Sequence, residues 1–296
     1  MSAPVSTLAT PPTHLSWSQC STLSPPSPYA CERKWALQRL AGLPYPPSRA
    51  MRVGSLFDAA VSTLFYPRAE AAGDLAVPLD LATAQTRLML ESGQLLDDAE
   101  DPGELASVLG LLPLSLDAYA ALHAGTPVAA VQQPVTWYHD GVRVEGFIDR
   151  VDVGRTITDL KVTGSAPRGK PGAWTDERLL PGGPWTLQLT FYACALAAEA
   201  ADAGVAYEWP VPAAVDVVTV RSGQVKPRID ILPFWLTWED ALTVQRMVTD
   251  SRRRADRGVY PPRPGAGCDR CPYTTVCQAM GELVEPDFGA LWARLS

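Results

Sequence analysis

Residues 142–163, VRVEGFIDRVDVGRTITDLKVT, constrain what this chain can fold into more than any other stretch. Val144, Phe147, Ile148 and Val151 lead into a turn at 153–155, and Ile157, Leu160 and Val162 lead back out. Apolar and β-branched residues on both sides of a glycine-bearing turn are a hairpin pattern. Into that frame the sequence sets Asp149, Asp159 and Lys161. Asp159 and Lys161, two apart on one strand, project from the same face, and Asp149 on the neighbouring strand is close enough to join them. Two carboxylates and an ammonium at one end of a sheet are costly to bury without a partner, and a divalent metal with an activated water is such a partner. A solvated strand face is the plain alternative, and a lone D-x-K does not decide between them.

The rest of the chain surrounds this hairpin with helices. Residues 1–13 read as a disordered lead-in, followed by a short turn. Helices are expected over 29–40, 48–64, 80–94 and 102–124, from the spacing of their apolar residues. Strands follow at 129–138, 142–153 and 156–162, with His139-Asp140-Gly141 as the first turn; an Asp-Gly step between apolar runs is a strong hairpin signal. The Gly- and Pro-rich residues 165–184 read as a mobile loop beside the acids. A helix over 185–203, strands over 214–221 and 225–232 and a helix over 238–257 complete the order. Helices, an antiparallel-rich sheet and further helices make an α/β (mixed α+β) layout. With 296 residues and no clean linker, residues 14–296 read as one domain: a helical part to 125, a core over 126–235 and a C-terminal part from 236.

Charge and cysteines narrow the function. A net charge of −7 argues against a protein that coats nucleic acid electrostatically, but leaves room for acids gathered at a metal beside a local basic groove. Arg252, Arg253 and Arg254, with Arg257 and Arg263, are candidates for such a groove; Arg168 and Lys170 lie nearer the acids. No apolar run long enough to span a bilayer is apparent, so no membrane partner is expected. The N-terminus has neither a basic region nor a hydrophobic stretch, so a cytoplasmic location is expected. Six cysteines in such a chain suggest metal or redox chemistry before disulfides. Cys268, Cys271 and Cys277 form C-x2-C-x5-C, with Cys31 far upstream and Cys20 as a competitor for the fourth place. The spacing admits structural zinc or a [4Fe–4S] cluster. Cys194 reads as a buried thiol, His14, His123 and His139 as incidental, and Asp152 and Glu145 as lying on the solvated side of the hairpin.

Taken together these pieces resemble a family. Ser16-Trp17-Ser18 with Cys31-Glu32-Arg33-Lys34-Trp35, Gly54-Ser55-Leu56-Phe57-Asp58, Gly146-Phe147-Ile148-Asp149-Arg150, Asp159-Leu160-Lys161, Gln188-Leu189-Thr190-Phe191-Tyr192 and Cys268 through Cys277 are similar, in order, to the motifs of PD-(D/E)XK nucleases. The likeness is to the RecB-like type, with the iron–sulfur exonucleases related to AddB and the CRISPR-associated adaptation nucleases. It implies a restriction-endonuclease-like core with a mixed sheet flanked by helices, and N- and C-terminal segments joined at an iron–sulfur site held by Cys31, Cys268, Cys271 and Cys277. It further implies Mg²⁺ or Mn²⁺ on Asp149, Asp159, Asp58 and the Leu160 carbonyl, with Lys161, Gln188 and Tyr192 completing the catalytic set. Two positions depart from the pattern: Asp58 replaces a histidine, and Glu32 replaces a proline. A carboxylate remains a suitable ligand for a hard cation.

The resemblance implies a metal-dependent DNA exonuclease acting on single strands or resected ends in recombination, repair or phage-type DNA metabolism. With no helicase signature in the chain, unwinding would come from a helicase or recombination partner. The alternative is a catalytically weakened DNA-binding or partner-binding scaffold with the same fold, for which Asp58 is the one supporting feature.

Overall fold

The structure is a computed structural model, and it describes residues 10–24, 30–97, 102–170, 173–174, 177–221, 223–224, 226–265 and 267–279. The chain begins with β1 (His14–Ser16), α1 (Trp17–Leu23), α2 (Glu32–Arg39) and α3 (Arg49–Glu70). Next come α4 (Leu81–Asp97), α5 (Pro102–Leu109) and α6 (Leu112–Leu122), then the strands β2 (Val128–His139), β3 (Val142–Asp152) and β4 (Ile157–Thr163). Short β5 (Gly169–Lys170) and β6 (Ala173–Trp174) precede α7 (Pro184–Asp202), β7 (Val211–Thr219), β8 (Arg228–Leu236), α8 (Trp238–Asp256) and α9 (Thr274–Ala279). The fold is mixed α/β, with a mixed central sheet flanked by helices. Its chain divides into two compact units, one of residues 47–135 and 147–241, the other of residues 1–46, 136–146 and 242–296.

In the first unit the order runs from the end of β3 to β4, β7 and β8. β3 meets β4 antiparallel, β4 runs parallel to β7 from Ile157↔Ala213 to Thr163↔Thr219, and β7 pairs antiparallel with β8. β7 is buried along almost its whole length, which is why VPAAVDVVT reads as a near-continuous apolar run. Leu160, Val162, Val218 and Val220 face a helical layer built on Val53, Phe57, Leu64, Leu88, Leu112 and Leu116. Alternation then turns Asp159 and Lys161 to the opposite face, where α7 packs on β4. The helix expected over 102–124 is two helices: Pro113 cannot donate to the Leu109 carbonyl, so the first ends and α6 restarts with the proline in its first turn. The expected loop over 165–184 contains the β5–β6 ribbon and a 3₁₀ turn at Glu177–Leu179.

In the second unit β1 runs parallel to the start of β3, with Leu15 opposite Val144. This strand and α1 stand where a turn was expected; they are too short for periodicity to reveal. Ser16 caps α1 by accepting from Gln19 N at 3.4 Å. Trp35, Leu37, Leu23, Tyr260 and Tyr273 form the core of this unit. Tyr260 OH donates to the Ala255 carbonyl at 2.6 Å and Tyr273 OH to that of Leu43 at 3.1 Å, so both buried hydroxyls are satisfied. Glu32 ion-pairs with Arg254, which accounts for a carboxylate at the buried start of α2. At the β2–β3 turn Asp140 and Gly141 have φ of 48° and 75°, the left-handed pair that a two-residue hairpin turn demands.

Candidate active site

The acids of the first unit gather where β3 and β4 part. Their ladder has Arg150 opposite Thr158 and Val151 opposite Ile157, and the next antiparallel positions along it are Asp149 and Asp159. Here the pairing stops. Instead of a strand carbonyl, the Leu160 N–H meets the Asp149 carboxylate, at 2.8 Å. Lys161 Nζ lies 3.0 and 2.7 Å from the two Asp159 oxygens and donates to Gln188 Oε1 at 3.1 Å. The Gln188 amide in turn donates to Asp159 at 2.9 Å and to Tyr192 OH at 3.4 Å. Asp159, Lys161, Gln188 and Tyr192 thus form one hydrogen-bonded set, with Gln188 and Tyr192 one turn apart on α7.

The start of α7 is fixed by a close approach. A Cβ on Gly183, which precedes Pro184, would lie 2.5 Å from the Glu177 carbonyl oxygen and 2.6 Å from that of Arg178. Only glycine fits there, and the 3₁₀ turn is thereby seated against the helix that carries Gln188.

Asp58, in the middle of α3, is the third carboxylate. Both its oxygens accept from the Gln132 side chain, at 3.0 and 3.2 Å, and Gln132 holds φ at 46° inside β2. A non-glycine residue in the left-handed region is uncommon and strained; here it accompanies the amide's contact with Asp58. Burial, then the charge of Asp159, pushes the Asp58 carboxyl up to about 6. Burial followed by the charges of Asp159 and Asp58 raises Asp149, and burial raises Asp159 against the pull of Lys161. Three carboxylates share one ammonium, so full ionisation leaves two negative charges uncompensated in a low-dielectric site. Hard oxygen donors and a deficit of two positive charges fit a divalent cation such as Mg²⁺ or Mn²⁺, which PD-(D/E)XK nucleases typically use. Among the described residues, however, no three His, Cys, Asp or Glu side chains stand close enough together to grip one ion as they are placed.

On the other face of the sheet lies a buried polar cluster that differs from expectation. Asp216, in the middle of β7, accepts from Tyr119 OH at 2.5 Å and from Arg150 at 3.1 Å, and His123 Nε2 lies 3.1 Å away. Arg150 also reaches Tyr119 OH, Thr158 and Asp152 at 2.8, 3.2 and 3.0 Å. His123 is therefore not incidental, and Asp152 is drawn in by Arg150 rather than set on the solvated face. Asp216 had a sequence signal, an acid inside an apolar strand. Gln132 had none.

In the second unit, Cys31, Cys268, Cys271 and Cys277 all line one cavity of about 370 Å³, with Arg33 and Lys34 beside them. All are free thiols, and Arg33 lies 3.9 Å from the Cys277 sulfur. Cys20 does not line that cavity; it is buried, its thiol pushed up to about 12 by that burial. Cys194 is likewise a buried thiol. Of the arginines, Arg252 is engaged by Asp256 and by the Pro12 carbonyl at 2.7 Å, while Arg253 and Arg168 are exposed. The side chain of Lys170 lies outside the described residues.

No curated protein matches the chain. A solved structure from Eubacterium rectale, provisionally named an exonuclease, is 18% identical with a TM-score of 0.50, over 93% of this chain and 90% of that one. A second, SSO0001, is 14% identical with a TM-score of 0.34, over 81% of this chain and 90% of that one. At these identities the first likeness is one of fold. The model of the PD-(D/E)XK nuclease superfamily matches residues 15–278, nearly the full span that holds the strand fork, its lysine and the cysteines, and the chain belongs to that superfamily.

Proposed function

We propose that this nuclease is a metal-dependent DNA exonuclease that hydrolyses phosphodiester bonds at single-stranded or resected ends. The observation that carries the reading is the strand fork, where Asp149 and Asp159 face a lysine pinned by Gln188. Asp149, Asp159 and Asp58, with the Leu160 carbonyl, would hold Mg²⁺ or Mn²⁺. When bound, the metal lowers the pKa of a coordinated water and neutralises charge on the scissile phosphate. Lys161 spends donors on Asp159 and Gln188; an ammonium has three, and the remaining one is available to orient the attacking water or stabilise charge on the phosphate. Gln188 holds that geometry, because its carbonyl accepts from Lys161 while its amide donates to Asp159 and Tyr192. Tyr192, its hydroxyl raised chiefly by burial, serves as a neutral donor.

In this reading Cys31, Cys268, Cys271 and Cys277, which line one cavity, would hold a [4Fe–4S] cluster, with zinc as the alternative suited to the same thiolates. Its role in this reading is to staple α2 to the C-terminal tail. A cytoplasmic setting, a helicase or recombination partner and a place in recombination, repair or phage-type DNA metabolism belong to the same reading. Arg253 and Arg168, both exposed, are candidates for phosphate contact, together with Lys170 and, less freely, the ion-paired Arg252.

The test is anaerobic digestion of end-labelled single-stranded DNA with Mg²⁺ or Mn²⁺. Asp159→Ala and Lys161→Ala should each reduce shortening by about 10³-fold, the scale of losing a preorganised charge-stabilising group. Brown protein with broad visible absorption supports the cluster, and colourless protein carrying zinc supports the alternative. Cluster-loaded wild type that leaves every end intact would instead make the chain a scaffold.

A further inference from the structure

Arg150 stands behind the strand fork, on the opposite face of the sheet. It neighbours Asp149 in β3, and Thr158, its partner across the ladder, neighbours Asp159 in β4. Successive strand residues point to opposite faces, so the acids lie on one side of the sheet and Arg150 with Thr158 on the other. The β3–β4 ladder has two rungs, Arg150↔Thr158 and Val151↔Ile157. Beyond them no backbone pairing sets the gap between Asp149 and Asp159; the Leu160 N–H meets the Asp149 carboxylate instead, at 2.8 Å.

The buried Arg150 side chain supplies what this short ladder lacks. Its guanidinium donates to Thr158 Oγ1 of β4 at 3.2 Å, to Asp216 of β7 at 3.1 Å and to Tyr119 OH of α6 at 2.8 Å. Strands β3, β4 and β7 are thereby tied together at the root of the fork. Charge balance does not require the Thr158 contact, because Asp216 and Asp152 already face the guanidinium. A bond to a neutral hydroxyl adds a fixed distance between β3 and β4. A planar guanidinium, with five donors in a rigid fork, reaches all these acceptors together, which a lysine ammonium cannot match. We propose that Arg150 is a positioning residue: acting through Thr158, it sets the separation of Asp149 and Asp159 and so the size of cation the fork accepts. The inference rests on the nuclease reading for the cation alone; the strand separation belongs to the metal-free protein.

Mg²⁺ demands near-ideal octahedral geometry at about 2.0–2.1 Å, whereas Ca²⁺ accepts flexible shells at about 2.3–2.6 Å, so a loosened fork should lose Mg²⁺ before Ca²⁺. Thr158→Val removes the hydroxyl and keeps the shape; Arg150→Lys keeps the charge and removes the fork of donors. Leu105→Ala, in the helical layer of the same unit, controls for simple destabilisation. Hydrogen exchange of the Leu160 amide is measured in EDTA against that of Val217 in β7, and Mg²⁺ and Ca²⁺ binding by calorimetric titration. Thr158→Val and Arg150→Lys should speed Leu160 exchange about tenfold, the scale of a weakened hydrogen bond. Both should weaken Mg²⁺ by about 10–100-fold, the usual cost of losing a partner that aligns a ligand, and Ca²⁺ by less. Leu105→Ala should keep both ratios at the wild-type value. Where Arg150→Lys does not fold, Thr158→Val alone carries the test. Unchanged Leu160 exchange in folded Thr158→Val, or an equal change in Leu105→Ala, overturns the proposal. Faster exchange with an unchanged Mg²⁺-to-Ca²⁺ ratio overturns the link to cation choice. Faster exchange in Thr158→Val, with no cation bound by wild type, overturns the metal-dependent reading and leaves the strand tie standing.

Discussion

Two clusters of buried charge lie on opposite faces of the same sheet, and they solve the same problem in opposite ways. Around Asp216 the charge is compensated: Tyr119, Arg150 and His123 surround one oxygen of the carboxylate, while its Oδ1 is buried without a hydrogen-bond partner. Burial pulls that carboxyl upward, but the hydrogen bond from His123 and the charge of Arg150 outweigh it and hold it below the usual range. Phe65 closes the cluster, with the Arg150 guanidinium 5.2 Å from its ring centre. At the strand fork three carboxylates share Lys161, and all three are raised. A charge-compensated buried network stabilises a fold; an under-compensated one costs stability and is a candidate for a functional site.

The sharpest way to break this comparison is to neutralise one acid from each cluster. Asp216→Asn should destabilise the protein by about 3–5 kcal/mol, because it removes the fully buried carboxylate shared by Arg150, Tyr119 and His123 and leaves Arg150 with Asp152 alone. Asp159→Asn should leave the unfolding midpoint in metal-free buffer unchanged or higher while abolishing cleavage. Urea titration of both variants decides it. Equal destabilisation would mean that the fork is scaffold as well.

How much of this contrast could be read from the sequence depends on the range of the interactions. The hairpin, Asp149, Asp159 and Lys161 were legible because strand alternation and a glycine-bearing turn are local rules. Gln188 and Tyr192 were legible at helical spacing: Gln188 bonds to Lys161 and Asp159 and, one turn on, donates to Tyr192. The Asp216 cluster was not. Its members come from α6, β3 and β7, and nothing local links His123 to an acid 93 residues later (216 − 123). Gln132 was beyond reach for a different reason: its role depends on a left-handed φ inside a strand, which no propensity would assign to glutamine. The break between α5 and α6 lay in plain view at Pro113, but the apolar spacing on either side concealed it.

Gln132 sharpens the comparison at the fork itself. It is the neutral partner of Asp58 where Asp216 has cations, so it orients without compensating charge. Gln132→Ala should weaken Mn²⁺ affinity by about 10–100-fold, the usual cost of losing a partner that aligns a ligand, and saturating Mn²⁺ should recover most of the turnover. A metal titration of activity separates this from a general loss of folding, which excess metal would not repair.

The pH dependence of stability sets the two clusters against each other in a single experiment. Asp58 has its folded value raised above that of the unfolded chain, so its favourable contribution is complete below about pH 4 and is lost as pH rises through about 6. Asp149 and Asp159 are raised in the same way. Asp216 is depressed, so its contribution is present above about pH 4 and lost as pH falls through its folded value. Metal-free protein should therefore be most stable in mildly acidic buffer. On moving to neutral pH it should lose up to about 3 kcal/mol through Asp58 alone, since each tenfold change in proton affinity is worth about 1.4 kcal/mol. Asp58→Asn should flatten that decline, and Mg²⁺ or Mn²⁺ should abolish it, because a bound cation supplies the charge the fork lacks. Calorimetric melting from pH 4 to 8, with and without metal, measures both. A decline that metal leaves untouched would mean that these carboxylates do not share a cation, and the fork would lose its claim to be a metal site.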